Sequence, residues 1–142
     1  MIKVGDTIPA VTLTEFVEVE GNGCSIGPNP VDVAKVTAGK TIALFALPGA
    51  FTPTCMATHV PDFIAKAEAI KAAGCDEILA LAVNDPFVVT AFAEKLGGKG
   101  LVNYVADGNG ELTKALGLEL DLSVAQLGTN RTKRCSMIVK EG

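Results

Sequence analysis

The sequence predicts a single α/β domain with a largely parallel central sheet flanked by helices. Four short apolar runs alternate along the chain with segments of helical period, which is the pattern of such a sheet. The chain has 142 residues, of which 49% are hydrophobic, so it is long and apolar enough to bury one sizeable core. No internal repeat and no linker divides it, and we therefore expect one domain over residues 1–142.

The predicted strands are continuous apolar runs of six or seven residues, which are typical of strands buried on both faces of a sheet. In chain order they are residues 41–47, 77–83, 101–106 and 134–139. Near the N-terminus, residues 10–19 predict a β-hairpin and residues 22–30 predict a loop.

The segments between these strands predict three helices. In the first, the apolar residues that fall on one helix face are Met56, Val60, Phe63, Ile64, Ala67 and Ile70. The second runs from residue 86 to 96 behind an Asp-Pro start signal, and the third from 110 to 116. Pro61 interrupts the first helix and predicts a bend there, because proline has no N–H to donate to the preceding turn. Such a bend also favours local unwinding of the turn before it.

Composition argues against several classes of partner. The net charge is −4 and no run of Lys or Arg is present, so we expect no nucleic acid partner. No apolar stretch approaches the ~20 residues that span a bilayer, and the first residues lack the layout of a secretory signal. We expect a cytoplasmic protein, with an organellar mature form as the alternative. No metal-ligand spacing such as C-x-x-C is present, so neither a metal nor another cofactor is expected.

Cys55 has the surroundings of a reactive cysteine. It follows the first predicted strand in the segment PGAFTPTC, where Thr52 is a good N-cap and Pro53 suits the first helical position. Cys55 then lies in the first turn of a helix, where free N–H groups and the helix dipole favour thiolate over thiol. The carboxyl ends of parallel strands are also where such sheets place ligand sites. The alternative is that Cys55 only packs beneath the helix.

Pro48, Thr52 and Cys55 form the pattern P-x-x-x-T-x-x-C, which resembles the peroxidatic motif of peroxiredoxins. Further stretches resemble the atypical type II members of that family, and the similarity extends from residue 4 to 142. These stretches are residues 48–55, 59–61, 83–85, 106–107 and 133–136. The resemblance implies a thioredoxin-like fold, a homodimer, and reduction of peroxides through a cysteine sulfenic acid.

The same resemblance implies a role for each residue of the motif. Cys55 is the nucleophile, Thr52 hydrogen-bonds the peroxide and the sulfur, and Pro48 shields the reaction centre from water. The backbone N–H groups of Thr54 and Cys55 receive the peroxide oxygens, and the guanidinium of Arg134 lies beside the thiolate. These roles agree with physical expectation, because a fixed cation and aligned donors stabilise the negative charge that moves onto the departing oxygen.

The cysteine that would resolve the sulfenic acid is not identified by the resemblance. Cys24, Cys75 and Cys135 all stand at positions that do not match a resolving cysteine of the family. The family's last strand and C-terminal helix are expected to be absent, because the chain ends at Gly142. We therefore expect a one-cysteine cycle in which glutathione, glutaredoxin or thioredoxin reduces Cys55.

The leading hypothesis is an active peroxidase for hydrogen peroxide and alkyl hydroperoxides. The alternative is a redox-sensing or holdase-type binding protein, in which Cys55 oxidises but turnover is slow. A disulfide exchanger is disfavoured because C-x-x-C is missing. His59, four residues after Cys55, could suggest a Cys–His hydrolase, but no orienting third residue is marked out. Arg131 could either support Arg134 or be solvated.

Overall fold

The computed structural model describes residues 1–16, 28–98 and 100–142. Within this part of the chain, six strands form one mixed sheet in the order β2-β1-β5-β4-β3-β8. These strands are β1 (Thr12–Phe16), β2 (Pro28–Asp32), β3 (Thr41–Leu47), β4 (Glu77–Ala82), β5 (Asn103–Ala106) and β8 (Cys135–Lys140). Two short strands, β6 (Glu119–Leu120) and β7 (Arg131–Thr132), pair antiparallel in a separate hairpin that the sequence did not predict.

The helices are short. They are α1 (Val33–Thr37), α2 (Val60–Ala65), α3 (Ala67–Ala72), α4 (Pro86–Leu96) and α5 (Glu111–Leu116), with a π-helical turn over Cys55–His59 and a 3₁₀ turn over Ser123–Ala125. In the described part of the chain, no helix is both long and apolar enough to cross a membrane.

The four predicted strands are confirmed, and three of them form the parallel centre of the sheet. β3 pairs parallel with β4, and β4 pairs parallel with β5. The outer strands β8, β1 and β2 pair antiparallel, so the sheet as a whole is mixed. The structure begins β5 two residues later, and β8 one residue later, than the sequence predicted.

Side chains of β3 enter two different core clusters, which explains why the run is continuously apolar. Ile42, Leu44 and Ala46 pack on one face of the sheet. Ala43, Phe45 and Leu47 pack on the other face, in the cluster that also contains Cys55. Successive residues of a strand point to opposite faces, so a strand covered on both faces has no polar positions.

The N-terminal hairpin differs from the prediction. β1 pairs with β2, from Thr12 opposite Asp32 to Phe16 opposite Pro28, so the second strand lies beyond residue 19. The predicted loop over 22–30 is wrong from Pro28 onward. The prolines of β2 are tolerated because this strand is at the edge of the sheet, where an N–H is not required on the solvent side. Residues 17–27, including Cys24, lie outside the described residues.

The first predicted helix is divided into three pieces. The N–H of Val60 donates to the carbonyl of Cys55, which closes a π-helical turn immediately before Pro61. Pro61 cannot donate to the turn before it and its ring would clash there, and the wider turn accommodates both effects. The bend predicted at Pro61 therefore takes the form of a π-turn that begins at Cys55. A second break, which was not predicted, occurs at Lys66 (φ −99°, ψ 3°).

The second and third predicted helices are confirmed. α4 spans Pro86 to Leu96, and the side chain of Asp85 caps it by accepting from Val88 N at 2.9 Å. α5 ends before Gly117, whose φ of 69° is a left-handed conformation that glycine adopts easily. The start of α4 lies just beyond the carboxyl end of β4, close to the loop that carries Cys55.

Candidate active site

Cys55 lies in the first helical turn after β3, as predicted. The carbonyl of Thr52 accepts from Met56 N at 2.9 Å, which closes the turn. The Cys55 side chain is fully buried (0% exposed) in the core cluster that contains Phe45 and Leu47. The backbone N–H groups of Thr54 and Cys55 belong to this first turn, where N–H groups have no acceptor within the helix.

Arg134 reaches Cys55 from a distant part of the chain. Its Nη2 donates to Cys55 Sγ at 3.4 Å, across 79 residues of sequence. Arg134 comes directly before β8, and β8 pairs with β3 so that Cys135 stands opposite Ala46. This register carries the guanidinium to the carboxyl end of β3. The contact places a positive charge and an N–H donor directly beside the sulfur.

Thr52 lies in the loop between β3 and the Cys55 turn. Its hydroxyl donates to the carbonyl of Gly49 at 2.8 Å. With its proton committed in this way, the hydroxyl oxygen keeps lone pairs that can accept a hydrogen bond. Pro48 directly follows the last residue of β3 and is half-buried at the start of the same loop.

These contacts place a cation and first-turn N–H groups around the sulfur of Cys55, and known proteins resemble the chain over nearly its whole length. The family model described as Redoxin matches residues 3–142. Peroxiredoxin-2D of Arabidopsis thaliana is 45% identical over 138 residues, which cover 97% of this chain and 81% of that protein. The chain belongs to the peroxiredoxin family. It is a thiol-dependent peroxidase with a thioredoxin-like α/β fold, and peroxides and a thiol reductant are its substrates.

Two further relatives add detail. Reduced Prx3 from Vibrio vulnificus, solved in complex with hydrogen peroxide, superposes with a TM-score of 0.86 at 39% identity. The match covers 100% of this chain and 84% of the Vibrio chain. Peroxiredoxin-2E-2 of Oryza sativa subsp. japonica, named as chloroplastic, is 45% identical over 99% of this chain and 61% of its own length.

Two residues outside the motif hold the loop of this peroxiredoxin in place. Asn84 Oδ1 accepts from Ala50 N at 2.9 Å. Arg131 is half-buried, and its Nη1 donates to the carbonyl of Val83 at 3.4 Å. Sequence reasoning did not identify Asn84 and left Arg131 open. Residues 83–85 were part of the resemblance, but their distance from residue 50 along the sequence does not predict the hydrogen bond between Asn84 and Ala50.

His59 packs against aromatic rings. Its ring lies edge-on to Phe45 at 5.3 Å and to Phe63 at 5.7 Å between ring centroids. Burial lowers the pKa of His59, and the charge of Arg134 lowers it further, so the imidazole is neutral at pH 7. Among the described residues its Nδ1 has no hydrogen-bond partner. These contacts favour a packing role over that of a base for Cys55.

The two other described cysteines lie on other parts of the sheet. Cys135 packs against the opposite face of the sheet, and burial raises the pKa of its thiol. Cys75 precedes β4 at the amino end of the parallel strands, whereas Cys55 lies beyond their carboxyl end. The length of β4 alone, about 17 Å at ~3.3 Å per residue, exceeds the ~7 Å limit between the Cα atoms of a disulfide.

Proposed function

We propose that this chain is an atypical type II peroxiredoxin in which Cys55 reduces hydrogen peroxide and alkyl hydroperoxides. The observation that carries the proposal is the hydrogen bond of 3.4 Å from Arg134 Nη2 to Cys55 Sγ in the first turn of a helix. A buried sulfur with a fixed cation and first-turn N–H groups beside it is a site for a thiolate and for the oxygens it attacks.

The reaction begins when the Cys55 thiolate attacks the terminal oxygen of the peroxide. A sulfur–oxygen bond forms and the O–O bond breaks, so the sulfur is oxidised to a sulfenic acid and the peroxide is reduced. The departing oxygen leaves as hydroxide or alkoxide and takes a proton from solvent, giving water or an alcohol. Arg134 and the N–H groups of Thr54 and Cys55 stabilise the charge that develops on the oxygens. The hydroxyl oxygen of Thr52 accepts a hydrogen bond from the O–H group of the peroxide, and Pro48 limits the access of water.

Regeneration follows a one-cysteine cycle. An external thiol attacks the sulfenic acid, releasing water and leaving a mixed disulfide, and a second thiol then displaces Cys55 as a thiol. The positions of the two other described cysteines support this cycle, because Cys75 lies at the far end of β4 and Cys135 packs on the opposite face of the sheet. Glutathione, glutaredoxin or thioredoxin supplies the thiols.

The functional unit is a homodimer of single domains over residues 1–142. Phe51 (45% exposed) and Phe87 (58% exposed) present apolar surface near the site, which supports contact with a second copy. The protein acts in the cytoplasm. The chloroplastic name of one relative makes an organellar form the alternative.

Steady-state peroxide consumption with each of the three reductants tests the cycle. We expect turnover with at least one reductant, and the same turnover in the Cys75→Ser/Cys135→Ser double variant. Loss of turnover in that variant, with Cys55 still oxidised quickly, would contradict the one-cysteine cycle. Fast oxidation with no turnover in any reductant would favour the redox-sensing alternative.

A further inference from the structure

The loop that leads to Cys55 holds an unfavourable backbone conformation. Phe51 has φ of 62°, a left-handed value that is rare for a residue with a bulky side chain. Such conformations persist only where surrounding contacts over-determine them. Phe51 stands immediately before Thr52, so any relaxation at Phe51 moves the Thr52 hydroxyl relative to the sulfur. The contacts that hold this loop are therefore part of how the site works.

Two contacts hold the loop on the side of Phe51 toward β3. Asn84 accepts the N–H of Ala50 at 2.9 Å. Arg131 packs directly on Gly49, where an added methyl group would come within 2.9 Å of Arg131 Nη1 and 3.0 Å of Thr52 Cγ2. Position 49 therefore has no space for a side chain, because the guanidinium lies on one side of it and Thr52 on the other.

Arg131 is itself fixed in two directions. Its Nε donates to the carbonyl of Leu127 at 2.9 Å, and its Nη1 donates to the carbonyl of Val83 at 3.4 Å. Val83 directly follows β4, and Asn84 is the next residue, so both contacts to the loop are anchored at the same point of the sheet. Arg131 also belongs to β7, three residues before Arg134.

We propose that Arg131 is a positioning residue for the peroxidase reaction: its guanidinium clamps Gly49 against the end of β4 and so holds Thr52 in register with Cys55. It does not touch the sulfur or the peroxide. This inference rests on the proposed function, because it assigns Thr52 and Cys55 to the reaction.

The clamp requires an arginine. A planar guanidinium presents several donors in fixed directions, so it can bond two carbonyls and still pack against Gly49. A lysine keeps the charge but offers one compact donor group at the end of a flexible stem. If Arg131 acted only through its charge, lysine would replace it. If Arg131 acts by holding Gly49 in position, Arg131→Lys should be as slow as a variant without the side chain.

Stopped-flow oxidation by hydrogen peroxide tests the clamp in Arg131→Ala and Arg131→Lys. Small displacements in an active site can cost about 100-fold in rate, so we expect both variants to oxidise about 10- to 100-fold more slowly than wild type. Added methylguanidinium at a non-denaturing concentration should restore part of the rate in Arg131→Ala only. A rate within twofold of wild type in Arg131→Lys, or in Arg131→Ala, would overturn the proposal.

Gly49→Ala disrupts the same contact from the other side. Because the two residues act on one contact, we expect the Gly49→Ala/Arg131→Ala double variant to be no slower than the slower single variant. Losses that multiply, together with no rescue by methylguanidinium, would show a general loss of structure and overturn the clamp. Lys133→Ala removes a neighbouring exposed cation and should oxidise at the wild-type rate.

The proposed function itself is tested separately by Cys55→Ser. If that variant still consumes peroxide at the wild-type rate, the assignment of Cys55 fails whatever the Arg131 variants show. If Cys55→Ser is inactive and the Arg131 variants are fast, only the clamp fails.

Discussion

Replacing Arg134 by alanine should slow the attack of Cys55 on peroxide. Arg134 Nη2 lies 3.4 Å from Cys55 Sγ. In the proposed reaction, this guanidinium stabilises the negative charge that moves to the departing oxygen. Two unit charges at this distance interact by about 5 kcal/mol at an effective dielectric constant of ~20, and by about 1 kcal/mol in bulk water. Cys55 is fully buried but Arg134 is exposed, so the value lies between these limits. We therefore expect Arg134→Ala to lose about 3 kcal/mol of this electrostatic stabilisation, which corresponds to an oxidation rate lower by ~100-fold.

The assay is stopped-flow oxidation of the reduced protein by hydrogen peroxide, with the second-order rate constant as the readout. Arg134→Lys keeps the charge without the planar donors and should lose less than Arg134→Ala. Lys133→Ala is the matched control, since it removes the adjacent charge and leaves the contact with sulfur. An Arg134→Ala rate within threefold of wild type, in a folded protein, would refute the electrostatic role.

Three further predictions concern stability. Phe45→Ala should cost about 3–5 kcal/mol of unfolding free energy, because Phe45 is fully buried, and Val124→Ala at a 96%-exposed position should cost under ~0.5 kcal/mol. Urea unfolding measures both, and equal midpoints would contradict the packing account. The pKa of His59 is lowered in the folded protein from its ordinary value of 6.5. Below pH 6.5 the unfolded chain therefore binds a proton at His59 that the folded protein does not, and the free energy of unfolding should fall as the pH drops from 6.5. Between pH 7.5 and 5.5, His59→Phe should lose less unfolding free energy than wild type does, and identical losses would contradict this role of His59. Asp107→Ala should cost about 1–3 kcal/mol, because the buried Asp107 carboxylate accepts two backbone N–H groups of α5. Thermal unfolding measures it, and an unchanged midpoint would contradict the capping role.

The sequence predicted those parts of the fold whose determinants are local. β3 and α4 have the predicted bounds, because a continuous apolar run and an Asp-Pro cap carry their own signals. The position of Cys55 in a first helical turn also follows from its neighbours. The bend at Pro61 was predictable because proline removes a hydrogen bond, but the π-turn by which the chain absorbs it depends on the packing of its side chains.

The rest depends on pairs of residues that are far apart in the chain. β2 is recognised as a strand only once it lies beside β1, because its prolines argue against a strand in isolation. Arg134 reaches Cys55 through the register of β8 on β3, which no spacing encodes, and it was predicted only through the family resemblance. The contact of Arg131 with Gly49 joins β7 to the loop after β3, and neither segment carries a local sign of it.

The most direct test of the account is the fate of Cys55 when the reduced protein meets one equivalent of hydrogen peroxide. Stopped-flow rates would be compared for wild type, Cys55→Ser and the control Cys75→Ser, with a sulfenic acid trap and peptide mass analysis on each product. We expect a rate far above that of a free thiol in wild type and Cys75→Ser, the trapped adduct on Cys55, and no fast phase in Cys55→Ser. A fast phase that survives in Cys55→Ser, or an adduct on another cysteine, would contradict it.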